Sequence, residues 1–393
     1  MELKQPLLPK PTQAQGASLL HAQLFALGVG SLVAWNTVCP TFDWINAQYP
    51  GRPASQMYTL LNFLPNLLFQ PLAVCYGYLV PLSVRIGGAY VCNAACLLCL
   101  PFVVQFAPPS VSYGGLMVLA LLLGICNSIA QSSIYALAGT LPRHYIGAVI
   151  TGSGLSGVLM TSARILCLYA FGDEKEQLLR STVVFYGLAT AILVLGLLAQ
   201  WYVLRNECVG ECVRRTSSKL HAFSENSRER PDVKAVFVAI WDSMLLQFLV
   251  LVGTFGVYPT LAIVPGEVAL PSAWFAAIML FVYAFADYLG RNLPSCYVPS
   301  QFILWSIVLG RFAFWGTFSA AASANAPLGL HTVWGKLANM GVFAFLGGYS
   351  GTLAMAQAPS SVQASWKDLA GALMSATTAI GLVAGSLAAF FLP

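Results

Sequence analysis

Two oppositely charged side chains stand one helical turn apart inside a long apolar stretch of this sequence. Asp287 and Arg291 occur in FADYLGR, with apolar runs on both sides. Residues four apart project from the same face of a helix, so this acid and base can neutralise each other. A charge at the centre of a membrane helix costs about 3 kcal/mol on insertion scales. Two interpretations are open: an internal salt bridge, or a water-accessible pair whose arginine fork binds a hydroxylated solute.

Polar groups in two other apolar runs could recognise a flat, hydrogen-bonding molecule. Asn127 and Gln131 lie one turn apart in CNSIAQSSIYALAG. An amide offers a donor and an acceptor together, which suits the edge of a nucleobase. Trp35 and Asn36 lie deep in the first apolar run, where an indole could stack on a flat ring. The competing interpretations are hydrogen bonds between helices for the amides and anchoring at the membrane interface for the tryptophan.

The remaining charges near apolar runs fall into two groups. Arg164 and Arg311 lie well inside runs and are candidates for cavity or structural roles. Asp43, Asp242 and Asp368 lie nearer the ends of runs, where we expect them to reach interfacial water.

A glycine pattern in the sequence suggests a cofactor site that its context excludes. GSGLSG at 152–157 fits G-x-G-x-x-G, but it lies within a membrane-length apolar run. A parallel sheet cannot present open edges to lipid, so we interpret these glycines as helix-packing residues. We expect no cofactor, no metal ion and no catalytic residues, and the chain is predicted not to be an enzyme.

The composition identifies the class of protein. Of 393 residues, 58% are hydrophobic and 8% are charged, whereas soluble domains carry roughly 25% charged residues. The chain is therefore predicted to be an all-α polytopic membrane protein. Its net charge of +5 resides in connecting segments and does not indicate a nucleic-acid partner.

Hydropathy predicts eleven transmembrane helices in a 6+5 bundle. The domains expected are a disordered cytosolic tail (1–19), a six-helix bundle (20–204), a basic cytosolic linker (205–234) and a five-helix bundle (235–393). The predicted spans lie near 20–42, 56–80, 83–106, 114–139, 145–170, 180–204, 235–264, 272–293, 299–321, 333–357 and 368–391.

The distribution of basic residues predicts the orientation. With a cytoplasmic N-terminus, twelve Lys and Arg residues fall in inside segments and four in outside segments. This satisfies the positive-inside rule and puts the C-terminus outside the cell. We expect the plasma membrane as the location; the QPLLP sequence in the tail keeps an internal compartment open.

In these motifs the chain resembles the equilibrative nucleoside transporter family. FADYLGR at 285–291 is similar to that family's eighth-span signature. The stretch from Gln131 through AGTLPRHY and GSGLSG to Arg164 is similar to its fourth and fifth spans, and the WN pair at 35–36 to its first. The similarities cover nearly the whole chain in the expected order, and a protist-type purine carrier fits them.

The resemblance implies a major-facilitator-like bundle that moves nucleosides, or in some members nucleobases, by alternating access. It implies that Trp35 and Gln131 contact the base and that Asp287 and Arg291 lie near the ribose. Ala284 departs from the family, since many members have Asn three residues before the aspartate. Because a neighbouring guanidinium favours the charged carboxylate, we expect Asp287 to stay ionised and transport to be facilitative.

Three rival functions differ in what they require of the sequence. A major-facilitator carrier for another polar solute would normally carry a charged motif in the 2–3 loop, where this chain has VPLSVRIGG. An intramembrane enzyme would need converging His or acidic clusters, and a receptor or scaffold would move no solute. We expect a monomer in the lipid bilayer with a nucleoside or nucleobase as its substrate.

Overall fold

The part of the chain that the structure describes is mostly helical. The computed structural model describes residues 12–76, 79–141, 143–207, 209–213, 233–263, 271–321, 329–363 and 366–391. Most of the predicted tail and the centre of the predicted linker lie outside these residues.

Eight helices of the described chain precede the linker. Apolar residues dominate them because no water is present in the bilayer to satisfy backbone groups, which a helix satisfies internally. A 3-10 turn, Cys39–Thr41, joins the first two. The helices are α1 (Thr12–Val38), α2 (Phe42–Gln48), α3 (Ala54–Phe63), α4 (Asn66–Tyr76), α5 (Leu82–Phe106), α6 (Pro109–Gly139), α7 (Arg143–Phe171) and α8 (Lys175–Arg205).

Among the described residues, six helices follow the linker. They are α9 (Val233–Phe255), α10 (Ser272–Asn292), α11 (Gln301–Gly310), α12 (Ala313–Ala321), α13 (Val333–Ser360) and α14 (Lys367–Ala388). In each half the helices run back and forth and bury small and apolar side chains between them.

Nine segments of the described chain are long and apolar enough to cross a membrane. The other two predicted spans are also helical. One is divided into α3 and α4, of 10 and 11 residues, and the other is α13, which is 28 residues long but less apolar. The polytopic helical class is confirmed, and the count of eleven stays a prediction.

Three predicted spans are interrupted, and local residues explain two of the interruptions. The span at 56–80 breaks between α3 and α4 at Pro65, which has no backbone N–H to continue the helix. The span at 235–264 ends as a helix at Phe255, and turns and a 3-10 segment containing Pro259 follow. The span at 299–321 is divided at Arg311, a buried residue whose side chain bonds to α9.

Glycines bring the helices of the site into close contact. A Cβ on Gly152 of α7 would lie 2.2 Å from the Phe25 carbonyl oxygen of α1. A Cβ on Gly290 of α10 would lie 2.2 Å from the Phe345 carbonyl oxygen of α13. Backbone atoms cannot move aside as a side chain can, so both positions require glycine. This agrees with the interpretation of GSGLSG as a packing motif.

Helix α10 lies at the seam between the two halves. It packs on α13 within its own half and on α7 of the other half, and the 3-10 turn and α2 also pack against it. Residues on its inner face are therefore enclosed by both halves.

Candidate functional site

Asp287 and Arg291 form an ion pair on α10. The Arg291 Nε donates to Asp287 Oδ2 at 2.6 Å, and the side chains are 44% and 13% exposed for Arg291 and Asp287. The exposed apolar ridge of α10 contains Phe285 and Leu289. At 3.6 residues per turn, the pair projects roughly 120° to 160° away from that ridge. The ion pair thus faces away from the apolar ridge that would meet lipid.

The surroundings of the pair come from both halves. A Cβ on Gly348 of α13 would lie 2.9 Å from Asp287 Oδ1, and one on Gly154 of α7 would lie 3.7 Å from Arg291 Cδ. Tyr288 packs beside the same Gly154. The carboxylate is therefore held against its own half, and the arginine stem crosses to the other half.

Gln131 is a partly exposed amide on α6 without a hydrogen-bond partner among the described residues. Tyr135 lies one turn further along the same face, is 36% exposed, and interacts electrostatically with Arg291. This face of α6 is consequently directed towards the arginine. Tyr135 was missed in the sequence, where the only signal for it is a phenol four residues after Gln131.

Asn127 has a structural partner. The Asn93 Nδ2 on α5 donates to Asn127 Oδ1 at 2.9 Å, which joins α5 to α6. Of the two amides one turn apart, one makes an interhelical bond and the other has its donor and acceptor free for a ligand.

Trp35 lies within an aromatic cluster that joins the two halves. Its ring centroid is 4.6 Å from that of Phe63 on α3 and 6.2 Å from that of Phe255 on α9, and the residue is 8% exposed. Tyr258, beyond Phe255, stacks on Tyr283 of α10 with centroids 3.7 Å apart. Tyr283 is one turn before Asp287. A series of ring contacts therefore connects the indole to the helix that carries the ion pair, and other rings cover the indole in this conformation.

Asn36 and Ala284 meet at α7. The Asn36 Nδ2 donates to Ser156 Oγ at 3.2 Å. A Cβ on Gly157 would lie 3.2 Å from the Ala284 Cβ and 3.7 Å from the Asn36 amide. The small side chain at 284 thus allows α1, α7 and α10 to approach one another, at the position where many members of the resembled family carry Asn.

Arg311 is buried within the second half. It is 1% exposed, its Nη1 donates to the Val250 carbonyl oxygen at 3.2 Å, and its Nη2 donates to Thr254 Oγ1 at 2.9 Å. The guanidinium carbon is 4.6 Å from the centre of the Phe343 ring. These contacts tie the junction of α11 and α12 to α9 and α13, which is the structural alternative considered for this residue.

Arg164 is buried within the first half and has fewer partners. It is 0% exposed, and its Nη1 lies 3.3 Å from both Ser181 Oγ and Thr182 Oγ1 of α8. Asp43 interacts electrostatically with it. The expectation that Asp43 reaches interfacial water is wrong for its Oδ1, which is buried, because α2 packs against α3, α5 and α10.

The two ends of the seam differ in accessibility. Cys39, Phe42 and Tyr258 are 1%, 0% and 6% exposed, so the side of the 3-10 turn and α2 is closed. Tyr135 and Arg291 are exposed towards the other side. A solute could therefore reach the Gln131 amide, the Arg291 guanidinium and the Asp287 carboxylate from the open side. The aromatic rings lie towards the closed side.

Comparison with known proteins gives a consistent result. Residues 117–393 match the family described as "Nucleoside transporter". The chain is similar to equilibrative nucleotide transporter 8 of Arabidopsis thaliana (23% identity; 92% of each chain). It is also similar to equilibrative nucleoside transporter 1 of Rattus norvegicus (27% identity; 94% of this chain and 95% of the relative). The inward-open xylose transporter XylE from E. coli shares the fold, with a TM-score of 0.66, 13% identity, and coverage of 95% of this chain and 89% of that one.

Proposed function

Because this chain belongs to the nucleoside transporter family, we propose that it carries nucleosides, nucleobases or both across a membrane, with purines favoured. The observation that carries the proposal is the arrangement of Gln131, Asp287 and Arg291. An amide without a partner among the described residues stands one turn from Tyr135, which interacts electrostatically with Arg291 of the ion pair. A free donor and acceptor opposite two charged groups suit a base edge joined to a hydroxylated sugar.

Each proposed contact follows from the chemistry of its side chain. The Gln131 amide pairs with the edge of the base. Asp287 accepts from, and Arg291 donates to, the ribose hydroxyl groups. Trp35 contacts the base through the part of the indole that faces the seam, and Asn36 supports the α1–α7 contact beside it. Asn127, Arg164 and Arg311 act as structural residues whose bonds hold helices together.

We propose alternating access between two units, residues 20–204 and 235–393, in a monomer. The state described is closed beside Cys39 and open beside Arg291. Rocking of the halves about α7 and α10 would close the second opening and separate the aromatic rings. That movement would expose the Trp35 face to a solute arriving from the other side.

Transport is proposed to be facilitative. Asp287 is the carboxylate of the site, and Arg291 Nε donates a charge-assisted hydrogen bond to its Oδ2 at 2.6 Å. A carrier driven by protons needs a carboxylate that takes up and releases a proton during the cycle. Proton uptake by Asp287 would remove the charge that joins it to Arg291 in this ion pair.

The proposed membrane is the plasma membrane, with the N-terminus in the cytoplasm and the C-terminus outside. The excess of basic residues in the segments assigned to the inside supports this orientation.

The test is uptake by purified protein in proteoliposomes. Radiolabelled adenosine, inosine, adenine, hypoxanthine, uridine and xylose are offered separately, and saturable uptake of purines above uridine and xylose is expected. Gln131→Ala should raise KM for purines about tenfold, equivalent to about 1.4 kcal/mol. Gln177→Ala, at an exposed amide at the start of α8, is the matched control and should leave KM unchanged. Saturable uptake of xylose alone would support a carrier for another solute.

A further inference from the structure

A group of polar side chains buried behind the closed side of the seam has unmet hydrogen-bonding capacity. We call Asp43, Tyr58, Arg164 and Tyr186 the closed-side cluster. Four of its atoms are buried without a hydrogen-bond partner: Asp43 Oδ1, Tyr58 Oη, Arg164 Nε and Arg164 Nη2. Unpaired buried polar atoms are rare in native proteins, and each requires an explanation.

The cluster connects three helices to the segment that closes the seam. Asp43 is in the first turn of α2, Tyr58 is on α3, Arg164 is on α7 and Tyr186 is on α8. Tyr186 Oη is 2.9 Å from Thr41 Oγ1 in the 3-10 turn. The ring of Tyr58 is 5.6 Å from that of Phe42, at the start of α2. The 3-10 turn and α2 also pack on α10 in the other half.

Asp43 and Arg164 attract each other without direct contact. Each interacts electrostatically with the other and with Tyr186. No N–O distance of 4.0 Å or less joins the two among the described residues. Attraction between charges grows as water is excluded, so it is strongest while the closed side is dry.

We propose that Asp43 and Arg164 are positioning residues that hold the 3-10 turn and α2 against α10, and thereby set the equilibrium between the two access states. In the closed state each charge compensates the other in a dry environment. When the halves separate on this side, water enters behind α2 and solvates both, and the attraction falls. Removing one charge leaves the other buried and unpaired in the closed state alone, which favours opening.

The inference rests on the proposed alternating access but not on the identity of the substrate. Its test therefore uses no substrate. Cys39 is a native reporter, because it lies in the 3-10 turn and is 1% exposed while the side is closed. The full-length protein in nanodiscs is treated with a hydrophilic maleimide, and labelling of Cys39 is followed by peptide-resolved mass spectrometry. The exposed Cys296, at the other end of α10, is the internal standard.

Asp43→Asn should speed the labelling of Cys39 about tenfold, equivalent to a shift of about 1.4 kcal/mol towards the open state. Asp242→Asn is the matched control. That aspartate lies within α9 in the other half, where it accepts hydrogen bonds from Gln301 and from Trp305 Nε1 at 2.9 Å, away from the cluster. The control should label at the wild-type rate.

The double variant Asp43→Asn/Arg164→Gln separates positioning from general destabilisation. With both charges gone, no unpaired charge remains, so labelling should return towards the wild-type rate, whereas two independent destabilising changes would add. If Asp43→Asn does not fold, Tyr186→Phe, which removes the bond to Thr41, should give a smaller increase in the same direction. Wild-type labelling rates in a folded Asp43→Asn or Tyr186→Phe protein would overturn the proposal, as would an additive double variant. If Cys39 labelling changed as expected but the protein took up no purine, only the proposed substrate would be refuted.

Discussion

The contact between α10 and α13 predicts that Gly348→Ala displaces the carboxylate of the site. A methyl group there would lie 2.2 Å from the Asp287 carbonyl oxygen and 2.9 Å from Asp287 Oδ1. Neither the backbone oxygen nor a carboxylate held by Arg291 can yield without moving α10. Overpacking of this kind costs about 1–3 kcal/mol. We expect a lower melting temperature for the purified protein and a higher KM, because the pair moves relative to Gln131.

Gly341→Ala on the same helix is the matched control. A methyl group at Gly341 would lie 3.7 Å from Val282 Cγ1, an ordinary van der Waals contact with the same partner helix. Replacing a glycine within a helix by alanine otherwise favours the helix by up to about 1 kcal/mol. The control should therefore be neutral or slightly stabilising and should transport normally.

Two measurements check the reasoning: thermal unfolding in detergent, and initial uptake rates over a range of substrate concentrations. If Gly348→Ala had wild-type stability and KM, close backbone packing would not determine the position of Asp287. Equal losses in both variants would show that glycine is needed along the whole of α13, independently of the site.

Four other predictions concern single residues or the energy source. Asp287→Asn should lower purine uptake by at least about tenfold, because Arg291 loses its charged partner; wild-type initial rates in vesicles would contradict this. Trp35→Ala should cost about 3–5 kcal/mol through the cavity left among the aromatic rings, whereas Trp35→Phe should cost less in the same thermal assay. Arg311→Lys should destabilise the protein by about 1–3 kcal/mol, since a lysine cannot reproduce two directed bonds; a double-mutant cycle with Thr254→Val measures that loss. An imposed pH gradient should not drive lasting accumulation of purine in vesicles, and accumulation abolished by Asp287→Asn would show proton coupling.

The polytopic helical class is correctly predicted, because it follows from the composition and from the length of the apolar runs. The pairing of Asp287 with Arg291 is also predictable, since spacing on one helix fixes it without knowledge of any other helix. The points at which a predicted span divides into two helices are harder to predict. Hydropathy averages over a window, so Arg311 and Pro65 do not lower the average enough to show that a span divides there.

Relations between helices are the part that the sequence could not provide. Asn127 and Gln131 look alike in sequence, and only Asn93, 34 positions away, makes one of them structural. The burial of Asp43 Oδ1 depends likewise on α2 packing against α3, α5 and α10. Tyr135 was missed because nothing near it in sequence shows that Arg291 lies opposite.

The two buried arginines have a consequence for how the chain enters the membrane during synthesis. Helices leave the ribosome in order, and an arginine alone in hydrocarbon costs about 3 kcal/mol on insertion scales. Arg311 bonds to Val250 and Thr254 on α9, which has already been made when α11 emerges. Arg164 bonds to Ser181 and Thr182 on α8, which is made after α7. The first half must therefore keep α7 at the insertion machinery until α8 arrives, whereas α11 can pair as soon as it emerges.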